Sequence, residues 1–293
     1  MDVGVFVPLG NGNASPEVLR AVGRNVEDRG FESIWVPEHV VLFDEYESEY
    51  PFSPDGKFPG GGDTGMLEPL TALTYLAAVT DRVRLGTGIC LVPQRNAVYT
   101  AKQVTDLDNL SNGRVDFGIG VGWLREEFEA IGVPFEKRGQ RTDEHLAIMK
   151  ALWTEEVSSY QGELASLSAC RMYPKPVQTP HPPIHVGGIS DVAMRRAARL
   201  GQGWFSWNQL PDEVTTSLAR LDELLAGEGR SRRELVITAS PYFNPTTPAL
   251  MEQYAAAGVD RLVVLCLAFD VDMLNEQLDA LVTDVLEPAN ALT

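Results

Sequence analysis

Residues Leu110–Gly132 read LSNGRVDFGIGVGWLREEFEAIG and contain a strand with two unequal faces. A Ser-Asn-Gly turn ends the preceding helix, and side chains then alternate from Val115 to Val121. Bulky apolar residues lie on one side, whereas Asp116 and the glycines at 118, 120 and 122 lie on the other. Because glycine carries no side chain, this second face predicts a hollow that a flat ring or another backbone can approach closely.

An earlier stretch repeats this pattern. Val83–Ile89 reads VRLGTGI, which places Arg84, Gly86 and Gly88 on one face. One helix-length segment separates the two stretches, so we expect neighbouring parallel strands that share the hollow. Arg84 and Asp116 occupy equivalent positions, two residues before the first glycine of each face. We therefore expect these two side chains to pair at the closed end of the hollow.

Strand-like and helix-like segments alternate along the whole chain. Eight strands alternating with eight helices predict a parallel α/β fold, and this number favours a closed (β/α)8 TIM barrel. A doubly wound open sheet is the alternative. No domain linker is visible, so residues 1–293 are expected to form one domain. The predicted strands cover residues 3–8, 33–37, 83–90, 115–121, 184–187, 203–206, 236–240 and 261–267.

Two longer segments interrupt the alternation. Residues 154–183, before strand five, are rich in Ser and Pro and are compatible with a hairpin. Residues 40–67, after strand two, are too long for an ordinary connection between a strand and a helix. They form either a surface loop or a lid or wall of a pocket, and their aromatic residues favour the pocket because exposing them to water is costly.

The charge and composition of the chain exclude several classes of partner. With 24 Lys and Arg against 41 Asp and Glu, the net charge of −17 argues against nucleic acid and anionic membrane surfaces. No apolar run approaches the ~20 residues of a membrane span. Met1 is followed directly by Asp2, which predicts no signal peptide. Three cysteines without metal-type spacing suit a reducing cytoplasm, so we expect a cytoplasmic protein.

Several segments, spread over most of the chain, resemble the bacterial luciferase-like flavin and deazaflavin oxidoreductases. The resemblance is greatest to the actinobacterial branch that uses coenzyme F-420, an 8-hydroxy-5-deazaflavin. These segments occur in the family's order: Gly30–His39, Arg84–Gly88, Ala101–Gln103, Gly120–Trp123 and Pro174–Gly188.

The resemblance implies a barrel with a cofactor ring across its C-terminal mouth. A non-proline cis peptide, which maps onto Gly88-Ile89, would support the back of the ring. The implied activity is hydride transfer between coenzyme F-420 and a small organic substrate. Two alternatives remain: an FMN-dependent monooxygenase that uses oxygen and a partner reductase, and a non-catalytic flavin-binding barrel. Family members are often dimers, so a homodimer is expected.

The resemblance also implies roles for residues at strand ends. Glu38 and His39 end strand two, where barrel enzymes place catalytic groups, and would contact the deazaflavin ring. His39 would donate a proton or a hydrogen bond as hydride leaves the ring. The plainer interpretation is a strand-end pair that caps local backbone.

Three further segments, at residues 87–89, 120–123 and 187–190, are predicted to bind the cofactor. The glycines of the first two allow close backbone contact, and Gly187-Gly188 with Ser190 at a helix N-terminus would hold a phosphate. Ordinary strand–helix packing and an ordinary N-cap are the alternatives, and the G-x-G-x-x-G spacing of dinucleotide-binding folds is absent. The predicted contacts are Thr87, Gly88, Ile89, Gly120, Val121, Gly122, Trp123, Gly187, Gly188 and Ser190.

Two other kinds of site fit the sequence poorly. His181 and His185 are separated by Pro182-Pro183-Ile184 and have no accompanying thiolate or carboxylate motif, so no metal site is predicted. Glu38 and Glu68 could form the carboxylate pair of a glycosidase. That interpretation leaves the glycine faces without a purpose.

Overall fold

The computed structural model describes residues 1–10 and 14–292. Eight strands of this part of the chain form a closed parallel barrel, and three others extend or flank it. The strands are β1 (Asp2–Phe6), β2 (Ser33–Val36), β3 (Arg84–Thr87), β4 (Cys90–Leu91), β5 (Val115–Gly120), β6 (Ser158–Gln161), β7 (Ser166–Cys170), β8 (Ile184–Gly187), β9 (Gly203–Trp207), β10 (Val236–Tyr242) and β11 (Arg261–Leu265).

Hydrogen bonding around the whole ring distinguishes this barrel from an open sheet. Strand β1 pairs with both β2 and β11, so the first and last barrel strands are neighbours. The ring continues through β3 and β5, where Leu85 pairs with Val115 and Gly86 with Asp116. From β5 it passes through β8, β9 and β10 back to β11. The predicted (β/α)8 barrel is therefore confirmed.

The helices cover the outside of the barrel. Neighbours pack side by side, and α1 meets α9 where the ring closes. Several start at a side chain that accepts a backbone N–H, as Ser15 does from Val18 and Ser190 from Ala193. The helices are α1 (Pro16–Asp28), α2 (Pro69–Ala77), α3 (Ala97–Leu110), α4 (Arg125–Ala130), α5 (Arg138–Thr154), α6 (Asp191–Leu200), α7 (Pro211–Gly227), α8 (Pro248–Ala257), α9 (Val271–Leu281) and α10 (Glu287–Asn290).

Two differences between the structure and the sequence-based elements lie close to the C-terminal strand ends. The third predicted strand is divided by a cis peptide bond between Gly88 and Ile89, which separates β3 from β4. Helix α4 was not predicted, because six residues are too few for a clear helical period. The insertion before β8 contains the antiparallel hairpin β6–β7, which Glu144 of α5 holds by accepting the Leu164 and Ala165 amides at 2.8 and 2.9 Å. No helix within residues 1–10 and 14–292 is long and apolar enough to cross a membrane.

The hollow predicted between β3 and β5 is filled by the protein itself. Trp35 of β2 is fully buried inside the barrel beside Phe6 and Phe205. A Cβ added at Gly86 would lie 2.4 Å from the Trp35 ring, and one at Gly118 would lie 1.9 Å from the carbonyl oxygen of Thr87. The close approach predicted for a flat ring or another backbone is therefore found at Gly86 and Gly118, but the ring is that of Trp35 and the backbone is that of Thr87, so no space for a ligand remains at these two glycines.

A buried ion cluster closes the N-terminal end of the barrel. As predicted, Arg84 pairs with Asp116, its Nε lying 2.9 Å and its second amino nitrogen 2.5 Å from the two carboxylate oxygens. Arg261 lies 3.1 Å and His185 3.4 Å from the same carboxylate. Burial raises the pKa of Asp116, but the contact with His185 and the charges of Arg84 and Arg261 outweigh it and hold this pKa well below its usual range.

Candidate functional site

A cavity of about 540 Å³ opens at the C-terminal ends of the barrel strands. This volume is within the range of roughly 300–1,000 Å³ that is common for small-molecule sites. Its lining is mostly apolar and aromatic. Part of it comes from residues 40–67, which we call the wall segment: Tyr50, Pro51, Phe52, Phe58, Pro59, Thr64 and Met66. Of the two interpretations left open by the sequence, the structure shows the pocket wall.

Aromatic contacts and the Glu126 carboxylate hold the wall segment in place. The Tyr50 ring packs against Phe58 and Trp123, with centroids 5.3 and 5.2 Å away. Glu126 of α4 accepts the Glu47 amide at 2.7 Å and the Ser48 hydroxyl at 2.7 Å. The wall segment is thus attached to the loop and helix that follow β5.

Ile89 forms the floor of the cavity, directly after the cis peptide bond that the family resemblance implied. Two glycines make room for its side chain. A Cβ at Gly120 would lie 1.7 Å from Ile89 Cδ1, and a Cβ at Gly187 would lie 2.8 Å from Ile89 Cγ2. These glycines therefore serve the cavity indirectly, by letting Ile89 lie flat across the strand ends.

Gly122 and Gly188 line the cavity with backbone in the left-handed region. Their φ angles are +78° and +116°, which residues with a side chain rarely adopt. A Cβ at Gly122 would also meet the Phe128 ring at 2.9 Å. At these two positions glycine is required by the turn, and the bare backbone faces the cavity.

Glu38 is buried at the cavity edge in a second ion cluster. Its carboxylate accepts hydrogen bonds from the Leu91 amide and from Arg95, whose Nε lies 2.7 Å away. Arg95 also pairs with Glu68. Glu68 is therefore a partner of the same guanidinium and the N-cap of α2, and it does not line the cavity.

His39 lines the cavity and is held by a residue that the sequence analysis missed. Its Nδ1 lies 3.3 Å from Oε2 of Glu127, and its ring contacts Phe58 and Trp123. A signal for Glu127 exists in the sequence. Leu124, Glu127 and Phe128 are all fully buried at helical spacing, so an acidic residue occupies an otherwise apolar stripe.

Two tyrosines, Tyr50 and Tyr242, supply further polar groups to the cavity lining. Tyr242 ends β10 and packs against Trp207 in a tilted arrangement, with ring centroids 4.6 Å apart. Burial raises the pKa of Tyr50 and of Tyr242, so both hydroxyls keep their protons at neutral pH. Both strands extend beyond their predicted ends at residues 206 and 240, and the added residues include Trp207 and Tyr242, which were not among the predicted site residues.

Most of the predicted site residues meet around this one cavity. Thr87 and Ser190 do not line it: the buried Thr87 hydroxyl donates to the Gly118 carbonyl at 2.6 Å, and Ser190 caps α6 at the exposed end of the Gly187-Gly188 turn. Within residues 1–10 and 14–292, no group of three His, Cys, Asp or Glu could hold a metal ion. The predicted site residues that line the cavity are Glu38, His39, Gly88, Ile89, Gly120, Val121, Gly122, Trp123, Gly187 and Gly188.

Comparison with known proteins adds the family. Residues 1–278 match the family model described as luciferase-like monooxygenase. An uncharacterised protein of Mycobacterium tuberculosis is 34% identical over 244 residues, which are 83% of this chain and 85% of that protein.

Two further similarities concern proteins of named activity. An FMNH(2)-dependent dimethylsulfone monooxygenase of Pseudomonas putida is 31% identical over 161 residues, which are 54% of this chain and 44% of that protein. The structure of the coenzyme F-420-dependent tetrahydromethanopterin reductase of Methanopyrus kandleri superposes with a TM-score of 0.72 at 16% identity. It covers 94% of this chain and 96% of that one.

Proposed function

Because this chain belongs to the luciferase-like monooxygenase family of oxidoreductases, we propose that it uses coenzyme F-420 to move a hydride to or from a small organic substrate. One observation carries this proposal. A mostly apolar cavity at the barrel mouth is lined by a histidine, His39, and the Nδ1 atom of this histidine lies beside the buried Glu127 carboxylate. Hydride transfer at carbon needs such an enclosed site with one group able to exchange a proton.

The residues of the cavity fit a planar ring system. Ile89 offers a flat apolar floor because Gly120 and Gly187 accommodate its side chain. Phe58 and Trp123 offer aromatic faces on the wall side, and Gly188 leads from the cavity toward the N-terminus of α6. Backbone N–H groups at that terminus would hold the phosphate of the cofactor's ribityl chain, close to Ser190.

The residues around the cavity have different roles in this proposal. The reduced deazaflavin, when bound, supplies a hydride from carbon and resists oxidation by oxygen. Tyr50, Phe58 and Trp123 exclude water and hold an apolar substrate against the ring face. His39 exchanges a proton at Nε2, the ring nitrogen that does not face Glu127. Glu38 holds the strand end that presents His39, through its bonds to Leu91 and Arg95.

Two alternatives have their own support. The similarity to an FMNH(2)-dependent monooxygenase favours FMN and oxygen chemistry, and the glycine-supported floor would suit either ring. A non-catalytic flavin-binding barrel would have a closed substrate space. The aromatic wall built by residues 40–67 and the exposed Phe243 and Phe269 at the mouth favour an enzyme that admits a substrate.

The experiment that separates these functions is a paired titration of the purified apoprotein with coenzyme F-420 and with FMN, followed by fluorescence. We expect F-420 to bind at least tenfold more tightly than FMN. Preference for FMN would replace the proposed function with the monooxygenase, and binding of neither would remove its main support.

Partners and location stay predictions from the sequence. We propose a small organic substrate, no nucleic acid or membrane partner, a homodimer and a cytoplasmic location. Sedimentation velocity of the purified chain tests the oligomeric state, for which a single species of twice the 32.1 kDa chain mass is expected.

A further inference from the structure

Glu127 is a fully buried carboxylate surrounded by hydrogen-bond donors. Its Oε1 accepts the Val40 amide at 2.6 Å, and its Oε2 accepts the Gln94 side-chain amide at 2.9 Å. The Val41 amide lies 3.5 Å from Oε1, and His39 Nδ1 lies 3.3 Å from Oε2. An ionised carboxylate offers only lone pairs, so a proton on Nδ1 completes this set of contacts, whereas a bare Nδ1 would face Oε2 with a second lone pair.

The charge of Glu127 points the same way. Among the described residues, His39 is its only partner within ion-pair distance, and no Lys or Arg reaches it. A buried carboxylate without a cationic partner is costly, and this cost falls when the neighbouring imidazole becomes charged. A proton arriving at Nε2 would produce that charge, since Nδ1 keeps its own proton toward Glu127.

The adjacent carboxylate, Glu126, has a different task. It is partly exposed and binds Glu47 and Ser48 of the wall segment, without touching His39. Glu127 also holds the start of the wall segment, through Val40. A purely structural role for Glu127 therefore predicts effects like those of Glu126, whereas a role through His39 predicts a change that Glu126 cannot cause.

We propose that Glu127 is a positioning residue that fixes neutral His39 in the tautomer protonated on Nδ1, so that Nε2 faces the cavity as a proton acceptor. The inference deepens the proposed function, because it makes His39 ready to receive a proton from a hydroxyl group of substrate or cofactor. Glu127 itself does not line the cavity and touches neither.

The test reads the tautomer directly, in the full chain labelled with ¹⁵N-histidine. Two-bond ¹H–¹⁵N correlation spectra at pH 8.5 distinguish a protonated Nδ1 from a protonated Nε2, and a His39→Gln spectrum assigns the His39 signals among the four histidines. In the unmodified protein we expect the Nδ1-protonated form to exceed the other at least tenfold. A predominance of the Nε2-protonated form would overturn the proposal without any variant.

Substitutions separate positioning from structure. In Glu127→Gln the new side-chain amide can donate a hydrogen bond to His39 Nδ1. Gln94 Oε1, which has no hydrogen-bond partner among residues 1–10 and 14–292, can turn to accept the second N–H of that amide. We expect the ratio of the two tautomers to fall at least tenfold in Glu127→Gln, to stay within twofold in Glu126→Gln, and to be largely kept in Glu127→Asp. An unchanged ratio in folded Glu127→Gln would overturn the proposal.

The cofactor titration is then repeated on Glu127→Gln. Affinity within threefold of the unmodified protein is expected, because Glu127 lies behind His39 and outside the cavity. Loss of all cofactor binding in this variant would show that Glu127 shapes the cavity itself. That result would overturn the proposal that Glu127 acts only by fixing the tautomer of His39. Failure of the unmodified chain to bind either cofactor would instead refute the proposed function and leave the tautomer result standing.

Discussion

Arg84 and Asp116 form a two-contact ion pair across adjacent strands β3 and β5, with Nε 2.9 Å from one carboxylate oxygen. Thirty-two positions separate them in the chain. They lie at the N-terminal end of the barrel, whereas the cavity lies at the C-terminal strand ends. The two ends of the barrel therefore differ: paired charged side chains close the N-terminal end, and mostly apolar side chains with a few polar groups form the cavity at the C-terminal end.

Asp116→Asn is expected to destabilise the fold strongly. The substitution removes the buried carboxylate that Arg84 and Arg261 share, although both also lie near Glu32, and breaking a buried pair in this way costs about 3–5 kcal/mol of unfolding free energy. Urea unfolding measures the loss. The matched control is Asp106→Asn, which removes an exposed pair with Lys102 and should change stability by less than about 1 kcal/mol. Equal effects of the two substitutions would contradict this account of the cluster.

The contribution of Asp116 should resist mild acid. Its pKa in the folded protein is held below its usual range, so its stabilisation is complete above the unfolded pKa of about 3.9 and is lost only as pH falls through the lower folded value. The difference in unfolding free energy between the unmodified protein and Asp116→Asn should stay constant from pH 7 to about pH 5. A difference that shrinks over that interval would show that the carboxylate is not stabilised by its neighbours.

Gly86→Ala should be rescued by a smaller ring at position 35. The added methyl group would lie 2.4 Å from the Trp35 ring, and such overpacking costs about 1–3 kcal/mol. In a double-mutant cycle, Gly86→Ala with Trp35→Phe should be more stable than the sum of the single effects by at least about 1 kcal/mol. Gly118→Ala provides the contrast, because its methyl group would meet the Thr87 backbone and Trp35→Phe should not rescue it.

Gly88→Val should narrow the cavity and weaken cofactor binding. Its Cβ would lie 3.1 Å from Phe6 and 3.4 Å from Phe205, two rings of the cavity lining. We expect the affinity for both F-420 and FMN to fall at least tenfold, with the circular dichroism spectrum unchanged. The control is Gly227→Ala at the end of α7, where a Cβ meets nothing within 4 Å. Unchanged affinity in a folded Gly88→Val protein would refute this location for the ring.

Arg95→Met should raise the pKa of Glu68. Burial raises this pKa, but the hydrogen bond from Thr71 and the charge of Arg95 outweigh burial, so that the pKa of Glu68 lies below its usual value. Removing the guanidinium removes one lowering influence and also leaves Glu38 without its cation. Carboxylate ¹³C titration measures the shift, with the exposed Arg171→Met as control. An unmoved Glu68 pKa would show that Arg95 does not act on this carboxylate.

Local patterns were sufficient for the architecture. Strand β8 matches its predicted bounds, residues 184–187, because apolar residues and glycines act within a few positions of one another. The Arg84–Asp116 pair was also predictable. The two residues are not opposite each other in the strand register, since Gly86 pairs with Asp116, but they lie on the same face near the N-terminal strand ends, within reach of the long Arg84 side chain.

The site depended on contacts that no local pattern encodes. The glycine faces were recognised, but whether Trp35, Ile89 or empty space lies over them is decided by packing from other strands. His39 and Glu127 meet across 88 positions because the wall segment folds back onto α4. Residue type and spacing thus determined the barrel and the end at which the site lies, whereas tertiary packing of distant segments decided the shape of the cavity and the residue that orients its histidine.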